Sequence, residues 1–222
     1  MAHFVHLIEE NYLKELYKLT QKEIKKVNNI ALAKAMDLNP ATVLEMVRKL
    51  VEKKMVELQA DKSILLTEKG RKKALLIIRK HRLWEVFLVS KLQYKWNEVH
   101  QLAEQLEHIG NEDMTNRLEE FLGFPVFDPH GDPIPDRQGK LKKNPSIPLS
   151  AAVQKKEYRV VNFADTADSF LTYLTRLAIE PGTQLTITDH LDYDGSFSIV
   201  VNKKKIQITD KVASNILVQP IT

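Results

Sequence analysis

The sequence predicts a mainly α-helical protein with β structure, in three parts: an N-terminal winged helix-turn-helix, a helical middle and a small C-terminal β-barrel. Three observations carry this. Residues 29–66 read as helix, tight turn, helix and then two short strands. Residues 80–110 place His and Glu at helical spacings over two short helices. From residue 157 onward, period-two strands alternate around a single helix.

Val5 to Leu19 reads as an amphipathic helix, with Leu7, Ile8, Tyr12, Leu16 and Leu19 recurring at threes and fours. Asn28 and Asn29 are helix starters, and IALAKAM makes a short second helix that ends around Asp37-Leu38-Asn39. Pro40 suits a first turn, where no amide donor is needed. The helix it opens, PATVLEMVRKLVEKK, has Val43, Val47 and Leu50 as its buried stripe. MVELQADKSILLTEKG follows as strand, turn at Ala60–Ser63, strand, and Thr67 with Gly70 leads into another helix.

A helix-turn-helix followed by a hairpin is a winged helix, whose second helix enters the DNA major groove. That places Asn39, Thr42 and Glu45 on the first exposed turns near the bases, and Arg48, Lys49, Lys53 and Lys62 near phosphates.

The middle segment carries the metal-competent chemistry. His81 and Glu85 stand four apart, and after a break near Tyr94–Asn97 come His100, Glu104, Glu107 and His108. Imidazole and carboxylate together suit manganese, iron, cobalt or zinc, and the chain has no cysteine for a thiolate site. The bland alternative is an amphipathic helix pair, with Leu83, Val86, Phe87 and Leu88 packed and the His and Glu facing water. A carboxylate di-iron bundle needs Glu-x-x-His, but the residues three before His100 and His108 are Asn97 and Gln105. The His-Glu-x-x-His zinc protease signature is absent as well.

Asn111–Leu122 reads as a further helix, and residues 123–148 hold six of the nine prolines, marking an irregular connection that includes Asp128 and His130. YRVVNF then reads as a strand and TADSFLTYLTRL as a helix. QLTITDH, SFSIVVN and KIQITD read as strands that complete a small barrel. Asp189, Asp192 and Asp194 are turn residues there.

The 222 residues are 43% hydrophobic and 28% charged, which is globular rather than disordered. No apolar run approaches the roughly 20 residues of a membrane span, and the start has neither the basic lead nor the apolar core of a signal peptide. These features point to a cytoplasmic protein with no membrane partner. The net charge of +4 is uneven: residues 1–82 carry 18 Lys+Arg against 10 Asp+Glu, residues 83–140 carry 5 against 11, and residues 141–222 carry 10 against 8. A basic head suits a polyanion and an acidic middle suits cations.

With the winged helix, the HRLxExFL run and the EVHxxAExLEH run in place, the chain resembles the diphtheria toxin repressor family of metal-dependent transcriptional repressors. The likeness is to its manganese transport regulator-like branch with a C-terminal SH3-like domain, and it extends over essentially the whole chain. It implies a winged helix over 1–75, a helical metal-binding and dimerisation domain over 76–140, a linker over 141–156 and an SH3-like, FeoA-like domain over 157–222. It further implies a metal-loaded homodimer that binds palindromic double-stranded DNA operators of metal-uptake genes, with Leu83, Phe87, Leu92 and Trp96 available for the dimer contact.

In the family's main site, His81, Glu104, Glu107 and His108 fall on ligand positions. Asn11 falls where the family has Asp or Met, a departure that leaves only a neutral carbonyl oxygen. Lys14 falls where some manganese members carry Glu. For a second site the resemblance implies Glu85, His100, Asp128 and His130, the last two through an Asp-Pro-His-Gly match to Cys-Pro-His-Gly, with Asp165 and Asp168 as further donors. The alternative for those two is a helix cap and a first-turn acid. Glu104 stands where the iron-responsive branch has Cys, so the resemblance favours Mn(II), although the same donors bind Fe(II), Co(II) and Zn(II). The competing readings are a metal-independent winged-helix regulator and a His/Glu metalloenzyme.

Overall fold

The structure is a computed structural model, which describes residues 2–21, 26–142 and 146–221, apart from the side chains of residues 2–6 and 168. Contacts group the chain into two compact units. The first comprises Met1–His81, Glu104–Leu118 and Pro135–Leu141, the second Arg82–Ala103, Glu119–Ile134 and Lys142–Thr222. The middle third of the chain contributes to both.

The first unit is built on α1 (Ala2–Gln21), α2 (Asn29–Met36), α3 (Pro40–Glu52), the hairpin β1 (Val56–Leu58) and β2 (Ile64–Leu66), and the first part of α4 (Glu68–Ser90). Local chemistry sets these boundaries. The Asn28 side chain accepts the Ala31 N–H and starts α2, and Asp37, left-handed at φ 52°, ends it. Two residues later Asn39 accepts the Ala41 N–H at 2.8 Å, with Pro40 in the first turn of α3. The Asn29 amide donates to the Pro40 carbonyl at 2.7 Å, bonding the start of α2 to the start of α3.

Val43, Val47 and Leu50 are each 0% exposed and pack with Tyr12, Leu13 and Leu16 of α1 and Ala74 and Leu75 of α4. Burying a side chain of this size stabilises by about 1.5–3 kcal/mol. The wing pairs Val56 with Leu66 and Leu58 with Ile64.

The middle segment departs from two short helices. α4 is one helix of 23 residues, because no proline or capping residue interrupts it after Gly70 in its first turn. α5 (His100–Leu106) stops before Glu107 and His108, which lie in the turn that follows. α6 (Glu112–Phe121) starts where the Asn111 side chain accepts the Met114 N–H.

The second unit closes around a six-stranded antiparallel sheet in the order β3-β8-β4-β5-β6-β7. Its strands are β3 (Ile147–Pro148), β4 (Glu157–Phe163), β5 (Gln184–Leu191), β6 (Ser196–Val201), β7 (Lys204–Ile208) and β8 (Ile216–Pro220), with α7 (Asp168–Arg176) after β4 and α8 (Asp210–Asn215) before β8. The expected barrel is an open sheet: β3 and β7 are its two edges and are not paired to each other among the described residues. β3 is only two residues long, and β7 carries exposed Lys204 and Lys205 on its edge, a charge pattern that resists further strand pairing. α8 and β8 lie beyond the expected strands. Six helical residues capped by Thr209 leave too short a periodic signal to read.

Of the four apolar residues expected at a dimer contact, Leu83 is 0% exposed and Trp96 packs against the sheet's core. Leu92 is exposed, as are Phe121 and Phe124. Phe87 lies 6.4 Å from Phe121, ring to ring.

Candidate functional site

The first cluster lies in the first unit, where α1 meets His81 of α4 and the 104–108 segment. Glu107 is its centre and is 0% exposed. One of its oxygens is 2.6 Å from His81 Nδ1, and the other is 2.5 Å from Lys14 Nζ and 3.5 Å from His108 Nε2. His108 reaches α1 with both ring nitrogens: Nε2 is 3.0 Å from Asn11 Oδ1 and Nδ1 is 3.0 Å from Glu10 Oε2. Glu104, the most open of the set, lies 3.4 Å from Lys14 Nζ.

Asn11, His81, Glu104, Glu107 and His108 are therefore gathered in one neighbourhood, with Glu10 and Lys14 added to them. Burial alone would raise Glu107, but hydrogen bonding to His81 and the charge of Lys14 hold its carboxyl below the usual range. Glu10 is likewise drawn down to about 2 against its burial, by His108 and Lys73.

The second cluster lies in the second unit and is more enclosed. Glu85, Asp128 and His130 are 2%, 7% and 5% exposed, and one donor atom from each lies within 4.8 Å of the others. The two oxygens of Glu85 are divided between imidazoles: Oε1 is 3.2 Å from His100 Nδ1 and Oε2 is 3.6 Å from His130 Nδ1. His130 Nε2 is buried with no hydrogen-bond partner, an expensive state for a ring nitrogen unless something binds there.

Asp128-Pro129-His130-Gly131-Asp132 forms a tight loop. Asp128 accepts the backbone N–H groups of His130 and Asp132 at 2.8 and 3.0 Å, and Arg82 Nε lies 3.3 Å from its other oxygen. Arg82 also donates to the Pro133 carbonyl and to Asp132. On the far side, a bulge in β4 between Val160 and Asn162 presents Asn162 to Asp132 at 3.1 Å. Arg82, Asp132 and Asn162 are supports that sequence patterns did not single out, because none carries a ligand spacing.

Asp165 is bonded locally, to the Ala167 N–H at 2.9 Å, and is not one of the residues whose donors converge here. The Asp168 side chain lies outside the described residues.

Each cluster offers only nitrogen and oxygen donors. The second fits a divalent cation on the evidence of its converging donors and the orphaned His130 Nε2. The first has the same donor chemistry, but both oxygens of Glu107 are already engaged by Lys14 and His81.

Thr42, Glu45, Arg48, Lys49 and Lys62 are exposed, as is Asn39 at the start of α3. Lys53 is tied down: its ammonium lies 2.5 Å from Glu9 of α1.

The family description "Iron dependent repressor, N-terminal DNA binding domain" matches residues 5–64. "Iron dependent repressor, metal binding and dimerisation domain" matches 67–136, and "FeoA domain" matches 147–220. A solved manganese-dependent transcriptional repressor in complex with manganese is 32% identical, with a TM-score of 0.83, and the match covers 96% of this chain and 100% of that one.

The chain belongs to the iron-dependent repressor family. The diphtheria toxin repressor of Corynebacterium diphtheriae is 27% identical over 96% of both chains. The iron-dependent repressor IdeR of Mycobacterium tuberculosis is 35% identical over 126 residues, which is 57% of this chain and about half (54%) of that protein's length. No helix among the described residues is long and apolar enough to cross a membrane.

Titration of the second cluster gives this family member a testable pH dependence. Burial and the nearby Glu85 and Asp132 carboxylates push Asp128 up to about 7, against Arg82 and His130. Burial would lower His130, but Glu85, Asp128 and Asp132 lift it to about 9. Asp128 therefore costs stability as pH rises from its ordinary 3.8 toward 7. His130 stabilises the fold below its ordinary 6.5 and loses that contribution as pH rises through 9. A cation bound there would have to displace both protons. Its affinity for this cluster is expected to rise with pH across the neutral range, because both groups hold their protons above their ordinary values. Calorimetric titration with Mn(II) in buffers of differing ionisation enthalpy reads the protons released, and a pH-independent affinity with no proton release would contradict the assignment.

Proposed function

We propose that this protein is a metal-dependent transcriptional repressor in which Mn(II), or Fe(II), acts as co-repressor, ordering a homodimer for palindromic operators of metal-uptake genes. Residues 1–75 bind DNA, 76–140 bind metal and dimerise, and 157–222 form the SH3-like part.

The observation that carries this reading is a run of three consecutive residues on α1. Glu9 holds Lys53 just beyond the last turn of α3. Glu10 holds both Lys73 and His108, and Asn11 meets the other nitrogen of His108. One turn of α1 thus touches the recognition helix on one side and the cluster on the other. A divalent cation held by Asn11, His81, Glu104, Glu107 and His108 would supply a joint between α1 and the 104–108 segment. Glu85, His100, Asp128 and His130 make a second site in the other unit.

In α3, Asn39, Thr42 and Glu45 read bases while Arg48, Lys49 and Lys62 meet phosphates. Lys53 positions the helix through Glu9. Because the same turn of α1 serves both sides, metal and operator raise each other's affinity by the same factor. The donor set suits Mn(II) and lacks the thiolate that softer metals favour, although Fe(II), Co(II) and Zn(II) bind such donors more tightly in general. The manganese complex of the solved relative supports the same choice.

The test is fluorescence anisotropy on a promoter fragment of a manganese or iron uptake gene, first with chelator and then with Mn(II), Fe(II) or Zn(II) restored. Binding at least about tenfold tighter with metal is expected, consistent with a coupling of 1–3 kcal/mol. An affinity indifferent to chelator would instead make the protein a metal-independent winged-helix regulator.

A further inference from the structure

Lys14 is among the least expected residues of the first unit. It sits in the middle of α1, between buried Leu13 and Glu15, with its side chain 6% exposed. A lysine so placed must find compensating charge, and it finds two carboxylates: Glu107 at 2.5 Å and Glu104 at 3.4 Å. Both come from the far end of the middle segment, 93 and 90 residues away in sequence. The ammonium is a compact point charge with three donors, and it faces the oxygen of Glu107 that His108 also approaches at 3.5 Å.

We propose that Lys14 is a resident cation of this cluster: its ammonium ties α1 to Glu104 and Glu107 in the absence of metal, and a divalent ion binding at Glu107 must displace it. The inference rests on the metal-binding role given to the cluster above and adds to it a residue that sets the threshold of the response. Glu107 is wholly buried, with His81 on one oxygen and the Lys14 ammonium on the other, and a cation arriving at that second oxygen takes the ammonium's place. The two compete for the same oxygen. Like charge within a few ångströms weakens the incoming ion further. α1 is therefore held against the 104–108 segment before metal arrives, and the metal concentration needed for occupancy is set by how readily the Lys14 side chain leaves.

The experiment uses the full chain without DNA, with Mn(II) alone as the probe, and compares wild type, Lys14→Met and Lys14→Arg. Thermal unfolding is measured in chelator. Mn(II) affinity is measured by electron paramagnetic resonance, with His130→Ala added to every protein so that the second cluster is silent. Lys14→Met is expected to unfold about 10 °C lower in chelator, because it takes the ammonium from the buried Glu107 and leaves His81 alone to offset that charge. It is also expected to bind Mn(II) about tenfold more tightly and to recover its thermal midpoint when Mn(II) is added. Lys14→Arg keeps the charge and is expected to keep the chelator midpoint near that of wild type.

An unchanged midpoint in Lys14→Met, or Mn(II) affinity that is unchanged or weaker, would overturn the proposal. If wild type itself takes up no Mn(II), displacement is ruled out and the co-repressor reading falls with it. If wild type binds Mn(II) normally and only the Lys14 variants behave alike, this inference alone fails.

Discussion

Glu107→Gln is expected to erase the response of operator binding to Mn(II) while leaving the weaker binding expected in chelator. Glu107 meets α1 through Lys14, α4 through His81 and its own neighbour His108. Glutamine keeps the volume but removes the charge, and an amide cannot satisfy an ammonium on one side and an imidazole on the other with acceptor oxygens. Losing an anionic ligand should lower metal affinity at least about 100-fold, more than the loss of a supporting residue would.

The substitution also costs stability, about 3–5 kcal/mol for breaking a buried pair, so a second variant separates ligand loss from unfolding. His108→Ala removes the imidazole that joins Glu10 and Asn11 to the cluster, yet leaves the Lys14–Glu107 pair in place. It should lose the Mn(II) response with a smaller fall in thermal midpoint. Anisotropy with and without Mn(II), beside circular dichroism, reads both effects. A normal Mn(II) response in either folded variant would remove Glu107 and His108 from the ligand set.

Gly131→Ala is the second large effect, and it acts on the other cluster without touching a donor. Gly131 has φ +84°, and a β-carbon there would lie 1.6 Å from the Val161 carbonyl oxygen and 2.9 Å from Asn162 Cβ. Backbone cannot yield as a side-chain tip can, so the Asp128–Asp132 loop must move away from β4. That breaks the Asn162–Asp132 bond and shifts Asp128 and His130, the flanking donors. A loss of about 4 kcal/mol is expected from strain of this kind, with Mn(II) affinity at the second cluster reduced about 100-fold and the first cluster unaffected. Chemical denaturation followed by two-site Mn(II) titration checks this. Wild-type affinity at the second cluster in Gly131→Ala would mean that the loop does not hold those ligands.

Much of the N-terminal fold could be read without coordinates because its signals are local. Asn28 and Pro40 fix helix starts by bonding or preforming the backbone within three residues of themselves. The Val43, Val47, Leu50 stripe follows from helix geometry alone. The same locality let His81, Glu85, Glu104, Glu107 and His108 be picked out as metal-competent, since spacing along a helix needs no partner. The family likeness added Asn11, Asp128 and His130, which no spacing would have joined to them.

What only the tertiary structure decided lies between residues far apart in sequence. For Lys14 the family likeness implied only a position where some manganese members carry Glu, and its burial against Glu104 and Glu107 shows once α1 is placed beside them. The ion pair of the exposed Lys53 with Glu9 joins residues 44 apart in sequence, and no local pattern could show it. Neither Arg82 nor Asn162 carries a ligand spacing, yet together they hold the Asp132 end of the Asp-Pro-His-Gly-Asp loop. Whether the C-terminal strands closed into a barrel was equally undecided by alternation, which fixes the faces of each strand but not the pairing of the sheet's two edges. Periodicity and capping are properties of a few neighbouring residues and are set by the backbone. The burial of a charge is set by whichever opposite charge the fold brings to it, and that partner is visible only once the chain is folded.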